Sequence, residues 1–282
     1  MTAPRLGFMQ GRLTPSVDGR IQDFPWEHWR EEFPLAQANG FDVIEWVLDL
    51  PDAEHNPFLT PEGQGEISQL SSKHSVTVES VCVDWLMATP LADKTGTANA
   101  EAVTFLGRVI DACQVLGVRY LEIPLVDNSR ISSDAQRDAV VAAVSAESHH
   151  ASKAGVTVVL ETDLPPREFV ALLERFEPPT VRANYDMGNS ASLGYEPADE
   201  LAVLGAWIAN VHVKDRVKGG GTVPLGTGDA DLPTVFAGLA NARYAGTYIL
   251  QTARQPDDVA AARAYRSQVL DLLGEAEVSH GS

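Results

Sequence analysis

Four side chains in the second half of the chain have the types and spacing to do chemistry: Glu161, Asp186, His212 and Gln251. Each follows an apolar run rich in β-branched residues, at 156–160, 180–185, 207–211 and 246–250. A charge at the end of a buried strand costs free energy unless it meets a partner. Taken singly, His212 reads as a satisfied strand-end histidine, and Glu161 or Asp186 as a helix cap or ion-pair partner. Taken together on consecutive strands, they read as ligands of one divalent cation. Adjacent strands lie about 4.8 Å apart, so four neighbouring strand ends can each reach an ion at roughly 2.0–2.3 Å. Three oxygens and one imidazole suit a hard or borderline ion, Mn2+ first, with Mg2+, Co2+ or Zn2+ as alternatives.

The elements that must hold these residues recur along the chain. Strand-like runs fall at 6–9, 41–46, 76–83, 118–123, 156–160, 180–185, 207–211 and 246–250. Helical patterns alternate with them. Between 97 and 116, Val103, Leu106, Val109, Ile110, Cys113 and Leu116 form a one-sided stripe that Gly117 terminates. Trp29, Phe33 and Ala36 share a face in a helix expected from about 27 to Gly40. Further helices are expected over 61–74, 133–154 and 232–240, the last behind an Asp231 cap with Pro233 just inside it. A final helix over 256–273 would leave a polar tail from about 274. Strand–helix alternation implies parallel pairing, because each helix returns the chain to the same end of the sheet. A chain of 282 residues suits one (β/α)8 TIM barrel, an α/β fold of about 250 residues, as a single domain over 1–282. All strand C-termini then open on one face, which would also gather Gln10, Glu45, Asp84 and Glu122.

Composition narrows the partners. Asp and Glu number 39 against 21 Lys and Arg, a net charge of −18, with no run of basic residues. Such a surface repels polyanions, so nucleic acid is not an expected partner. No segment approaches the ~20 apolar residues of a membrane span, and the N-terminus lacks a signal-peptide core. The expectation is a soluble, cytoplasmic protein, with homo-oligomerisation left open. Cys82 and Cys113 lack metal-type spacing and are expected in the core.

Several short motifs resemble one family. They are Gly11-Arg12-Leu13, Gly40-Phe41-Asp42-Val43-Ile44-Glu45, Leu160-Glu161-Thr162-Asp163, Tyr185-Asp186-Met187-Gly188-Asn189, His212-Val213-Lys214-Asp215, Pro224-Leu225-Gly226-Thr227-Gly228-Asp229 and Leu250-Gln251. Across nearly the whole chain they resemble the xylose isomerase-like TIM-barrel superfamily, within it the sugar phosphate isomerase/epimerase group. The resemblance implies a Glu, Asp, His, Glu ligand set on strands five to eight. Glu161, Asp186 and His212 match the first three positions, whereas Gln251 departs from the fourth. In ketose 3-epimerases of this superfamily the two glutamates also form the acid/base pair, a role glutamine cannot fill near pH 7.

The implied activity is a divalent-metal-dependent isomerase or epimerase acting on a sugar, keto-sugar or related polyol through a metal-chelated enediolate. Glu161 is the expected base, and Lys214 would stabilise enediolate charge. Glu45, Asp84, Asn189 and Arg216 would bind substrate, with Glu45 or Asp84 as a second acid/base. Residues 213–231, with Gly219, Gly220 and Gly221 in succession, would form a mobile lid presenting Arg216 and Lys218. Trp46 or Trp85 could stack on a sugar face. Because Gln251 removes one base, two other readings stand beside this one. The first is a lyase that dehydrates a keto-polyol or cleaves a sugar conjugate; the second is a non-catalytic sugar-binding or partner subunit.

Overall fold

The eight apolar runs become eight parallel strands that close on themselves, the first pairing with the last and with the second and the others following in chain order. In this computed structural model, residues 4–16, 19–177 and 180–280 are described. The barrel strands are β1 (Arg5–Met9), β2 (Val43–Val47), β3 (Thr77–Cys82), β4 (Tyr120–Leu125), β5 (Thr157–Thr162), β6 (Val181–Asp186), β7 (Ile208–Val213) and β10 (Thr247–Leu250). They are buried almost throughout because helices cover the outside and side chains fill the lumen.

The helices are α1 (Glu32–Asn39), α2 (Pro61–His74), α3 (Trp85–Ala88), α4 (Ala100–Leu116), α5 (Asp134–Ala154), α6 (Pro166–Leu173), α7 (Met187–Leu193), α8 (Pro197–Leu204), α9 (Leu232–Asn241) and α10 (Asp258–His280). Boundaries follow local chemistry. The Ser133 hydroxyl accepts from the Gln136 amide at 3.2 Å to start α5, and Asp231 accepts from the Thr234 amide at 3.2 Å to start α9. Two ends differ from expectation. Residues 26–31 form turns, so α1 begins at Glu32, and α10 continues to His280 through the stretch expected as a polar tail. The last two residues, 281–282, lie outside the described residues.

Glu32 explains the late start of α1. Its carboxylate is fully buried and accepts from the Gly11 amide at 2.8 Å and the Leu13 amide at 3.2 Å. The loop after β1 is thereby folded over the first turn of α1, satisfying backbone donors that would otherwise be stranded.

Trp46 and Trp85 are core residues, not sugar platforms. Trp46 is fully buried among Phe24, Trp29 and Phe58, and its indole donates to Asn56 Oδ1 at 2.9 Å. Trp85 stacks on Phe105 with centroids 4.3 Å apart. Each ring is drawn inward by the aromatic neighbours that the adjoining elements supply.

The expected lid contains a short antiparallel hairpin, β8 (Asp215–Arg216) with β9 (Thr222–Val223). Buried Asp215 accepts from the amides of Gly226 (2.9 Å), Gly228 (2.8 Å) and Ala230 (3.1 Å). Three charge-assisted bonds to one carboxylate fasten the returning strand of the loop to the end of β7. Among the described residues, no helix is long and apolar enough to cross a membrane.

Candidate active site

The lumen is polar where the strands end. Side chains two residues apart on a strand share a face, and this spacing sends Asn184 and Asp186 inward from β6 and Asn210 and His212 inward from β7. Glu45 reaches them from β2, which is not a neighbour of β7. Its carboxylate lies 2.6 Å from His212 Nε2 and accepts from Asn210 Nδ2 at 2.8 Å and Ser80 Oγ at 2.6 Å. Glu122 Oε2 stands 3.2 Å from the same imidazole nitrogen.

An ionised carboxylate only accepts, so Nε2 holds the proton against Glu45. Nδ1 then faces Glu161 Oε2 at 3.4 Å and Asp186 Oδ2 at 3.9 Å. Asn184 ties the group together, donating to Glu161 Oε2 at 2.9 Å and Glu122 Oε1 at 3.2 Å.

Three of the four expected metal ligands are brought together. One donor atom each from Glu161, Asp186 and His212 lie within 4.8 Å of one another. Three donors around one ion at roughly 2.0–2.3 Å are at most about 4.6 Å apart, so the spacing fits with small adjustments. Charge agrees: four buried carboxyl groups (Glu45, Glu122, Glu161 and Asp186) surround one imidazole and one ammonium. Glu122 Oε2 has the His212 imidazole at 3.2 Å but no well-aligned hydrogen bond among the described residues. The donor set therefore suits a divalent cation.

Gln251 is engaged differently. Its Oε1 accepts from Lys214 Nζ at 2.9 Å, and the same ammonium donates to Asp186 Oδ2 at 2.8 Å. Lys214 thus bridges the second and fourth expected ligands. Gly188 makes room for it, because a Cβ there would come within 2.7 Å of Lys214 Cγ. The amide of Gln251 donates to Gln22 Oε1 at 2.9 Å. An ion reaching Gln251 Oε1 would share that oxygen with Lys214 or displace the ammonium from it.

The electrostatics separate the carboxyl groups. Burial opposes ionisation of Glu161, but the hydrogen bond and charge of His212, with Lys214 beyond, outweigh it and hold its pKa below the usual carboxylate range. Burial pushes Glu122 well above that range, with the charges of Glu45 and Glu161 adding to it. Burial also raises Asp84. For His212, burial favours the neutral ring, yet the charges of Glu122 and Glu45 prevail and raise its pKa well above the ordinary value.

A cavity of about 450 Å3 opens above this group, lined by Asp84, Glu122, Glu161, Asn189, Lys214, Arg216 and Gln251 among others. Asp84 accepts from Gln22 and from Cys82 Sγ; both cysteines are buried in the core as expected, and Cys82 also borders the cavity. Asn189 donates to Glu161 Oε1 at 2.6 Å and accepts from Arg216 Nη1 at 2.7 Å. Glu45 was expected to meet substrate, but it is fully buried beneath His212 and does not line the cavity. Asn184, Asn210 and Gln22 join the site without a role expected from the sequence. A signal existed for the first two, a polar residue two positions before a candidate ligand. None existed for Gln22, which arrives on the loop after β1.

The fold and the strand-end cluster define a (β/α)8 barrel with a metal-type site at its C-terminal mouth. The chain belongs to the xylose isomerase-like TIM barrel family, whose model matches residues 33–269. It is 26% identical over 250 residues to an L-ribulose-5-phosphate 3-epimerase of Salmonella paratyphi C, covering 84% of this chain and 88% of that protein. Among solved structures it superposes on an L-ribulose 3-epimerase with a TM-score of 0.74 at 17% identity, covering 99% of this chain and 97% of the other. The IOLI protein with a bound zinc atom gives a TM-score of 0.74 at 14% identity, over 96% and 99% of the two chains. Those two structural likenesses concern the fold.

Proposed function

We propose that this protein is a divalent-metal-dependent epimerase or isomerase of a ketose or ketose phosphate, exchanging the proton on the carbon beside the carbonyl. The observation behind this reading is the triad of Glu161, Asp186 and His212, of which Glu161 reaches the cavity lining while the other two lie buried behind it, together with a second, differently poised carboxyl group, Asp84, in the cavity wall. The relative acting on L-ribulose 5-phosphate makes a five-carbon ketose, free or phosphorylated, the first substrate class to try.

Glu161, Asp186 and His212 would hold the ion, with Gln251 as a neutral fourth donor. When bound, the ion supplies Lewis acidity that polarises a carbonyl and acidifies the neighbouring C–H. Glu161, kept ionised, takes that proton. Asp84, whose pKa burial raises, supplies or receives a proton on its own side of the substrate. Two carboxyl groups pushed apart in pKa are what acid and base roles need. Lys214 and Arg216 place positive charge where the enediolate oxygens develop negative charge. Asn189 orients Glu161 through its 2.6 Å hydrogen bond. Mn2+ is the ion of choice for this oxygen-rich set, and Mg2+, Co2+ and Zn2+ satisfy it less selectively.

A lyase remains the second reading because Gln251 cannot accept a proton, and a proton removed without a return route leads to elimination. One experiment separates the two. The metal-loaded protein is incubated with ribulose, ribulose 5-phosphate and a panel of hexuloses in deuterium oxide, followed by NMR and mass spectrometry. Epimerase or isomerase chemistry gives products of unchanged mass apart from solvent deuterium at the exchanged carbon. Loss of 18 mass units, the mass of water, would replace this reading with the lyase, and no exchange with any ketose under any of the four metals would remove both.

A further inference from the structure

The N-terminal end of the barrel, opposite the candidate active site, holds a second cavity of about 460 Å3. Four guanidinium groups line it: Arg5 at the start of β1, Arg119 just before β4, Arg182 near the start of β6, and Arg243 after α9. Among the described residues, Glu79 is the sole carboxylate in the lining. This cluster is invisible as a run of basic residues, because one arginine comes from each of four distant places and the fold collects them.

The cations are held yet not neutralised. Glu79 accepts from Arg5 Nη1 at 2.9 and 3.0 Å and from Arg119 Nη1 at 3.0 Å, so one carboxylate fixes two guanidinium groups. Arg182 donates to a neutral acceptor, the Ala206 carbonyl, at 2.7 Å. The Arg243 guanidinium has no ion pair or hydrogen bond among the described residues. Its backbone has φ 57°, a left-handed conformation that a side chain other than glycine, asparagine or aspartate rarely adopts. That conformation closes α9, where the Arg243 amide donates to the Ala240 carbonyl and the Tyr244 amide to the Leu239 carbonyl, each at 2.9 Å, and it carries the guanidinium to the rim of the cavity.

We propose that this cavity is a binding site for a small phosphoryl-bearing anion, separate from the active site. Guanidinium forks match the paired oxygens of a phosphoryl group, and a concave basic cavity focuses positive potential inside a strongly acidic surface. The surrounding acidity turns away polymeric phosphates, while a small anion fits within the cavity.

The test is calorimetric titration of the full chain with pyrophosphate and, separately, with citrate, which matches the charge without phosphoryl geometry. Four variants join the native protein: Arg119→Ala/Arg243→Ala, Arg243→Gly, Arg130→Ala and Glu161→Gln. Native protein should bind pyrophosphate saturably and citrate at least tenfold more weakly. The double variant should lose at least tenfold in pyrophosphate affinity, while Arg130→Ala and Glu161→Gln, both altered in the lining of the active-site cavity at the other end of the barrel, should bind as the native protein does. Arg243→Gly keeps the fold testable, since glycine accepts φ 57°. It should melt at or above the native temperature without ligand and still bind pyrophosphate several-fold more weakly. No saturable binding, equal affinity for citrate, or loss of binding in Arg130→Ala or Glu161→Gln instead of the arginine variants would overturn the assignment.

Discussion

Glu45 and His212 meet across the barrel lumen, with Oε1 of one 2.6 Å from Nε2 of the other and neither residue exposed. Their strands are not neighbours in the sheet, so the contact spans the interior and fixes the ring's orientation from below. Nδ1 is left facing Glu161 and Asp186. A carboxylate behind a ligand histidine sets its tautomer and raises its basicity. We expect Glu45→Gln to weaken divalent-metal affinity about 10- to 100-fold, measured by titration of the chelator-treated protein. Glu45→Ala, which leaves the imidazole without that partner, should cost about 3–5 kcal/mol of stability, read from denaturant unfolding.

Glu161→Ala and His212→Ala should each purify with less bound metal than the native protein after equal exposure to Mn2+. Elemental analysis gives the answer directly, and native metal content in both variants would mean that the triad is not the binding site. His212→Ala should also lose stability, because the lumen carboxyl groups lose their shared cation.

Lys214 competes for the same oxygens as an ion would, bonding Asp186 Oδ2 at 2.8 Å and Gln251 Oε1 at 2.9 Å. Lys214→Met should therefore raise Mn2+ affinity, by about tenfold if one ammonium contact worth roughly 1.4 kcal/mol is removed. Solvent-proton exchange into the ketose should nevertheless slow, since the enediolate loses its cation. Gln251→Glu should likewise bind metal more tightly, and unchanged affinity there would place Gln251 outside the coordination sphere.

Glu32 should make stability depend on pH. Burial raises its folded pKa from 4.5 to about 7, against the lowering effect of the Gly11 and Leu13 amides. Between those values the native state holds a proton that the unfolded chain releases, so stability falls as pH rises from 4.5 towards 7 and levels off above it. A shift of this size corresponds to about 3 kcal/mol. Glu32→Gln stays neutral in both states, so its unfolding free energy should drop less between pH 5 and 8, by about that amount. Parallel pH dependence in the two proteins would contradict the assignment.

Asp215 gathers three backbone amides, from Gly226, Gly228 and Ala230. Replacing it with Ala should leave buried donors unsatisfied and cost about 1–3 kcal/mol for each that stays dry. Hydrogen exchange over residues 215–231 should quicken while the strands on the far side of the barrel keep their protection.

Much of this was legible in the chain because parallel strands buried on both faces read as plain apolar runs. The residue that closes each run sits at one end of the barrel by geometry alone. Glu161, Asp186 and His212 were visible for that reason. The roles of Glu45 and Trp46 were not. Both lie on β2, where the pairing with β3 shifts register between Ile44 and Glu45. No pattern of residue types reports that shift or the partners waiting across the lumen. The segment expected as a free lid looked loose because of its three successive glycines, yet the residue that fastens it, Asp215, stands before them. The late start of α1 depended on a loop amide finding Glu32, a contact between residues 21 positions apart.

The Lys214 bridge has a bearing on ancestry as well as on chemistry. Glutamine and glutamate codons differ by a single first base, so position 251 lies one mutation from a carboxylate. In most sites such a change would strand a new charge, but here an ammonium already stands 2.9 Å away to receive it. The barrel is therefore built to accept either a neutral or an anionic side chain at position 251, because the cation that would balance the charge is already in place.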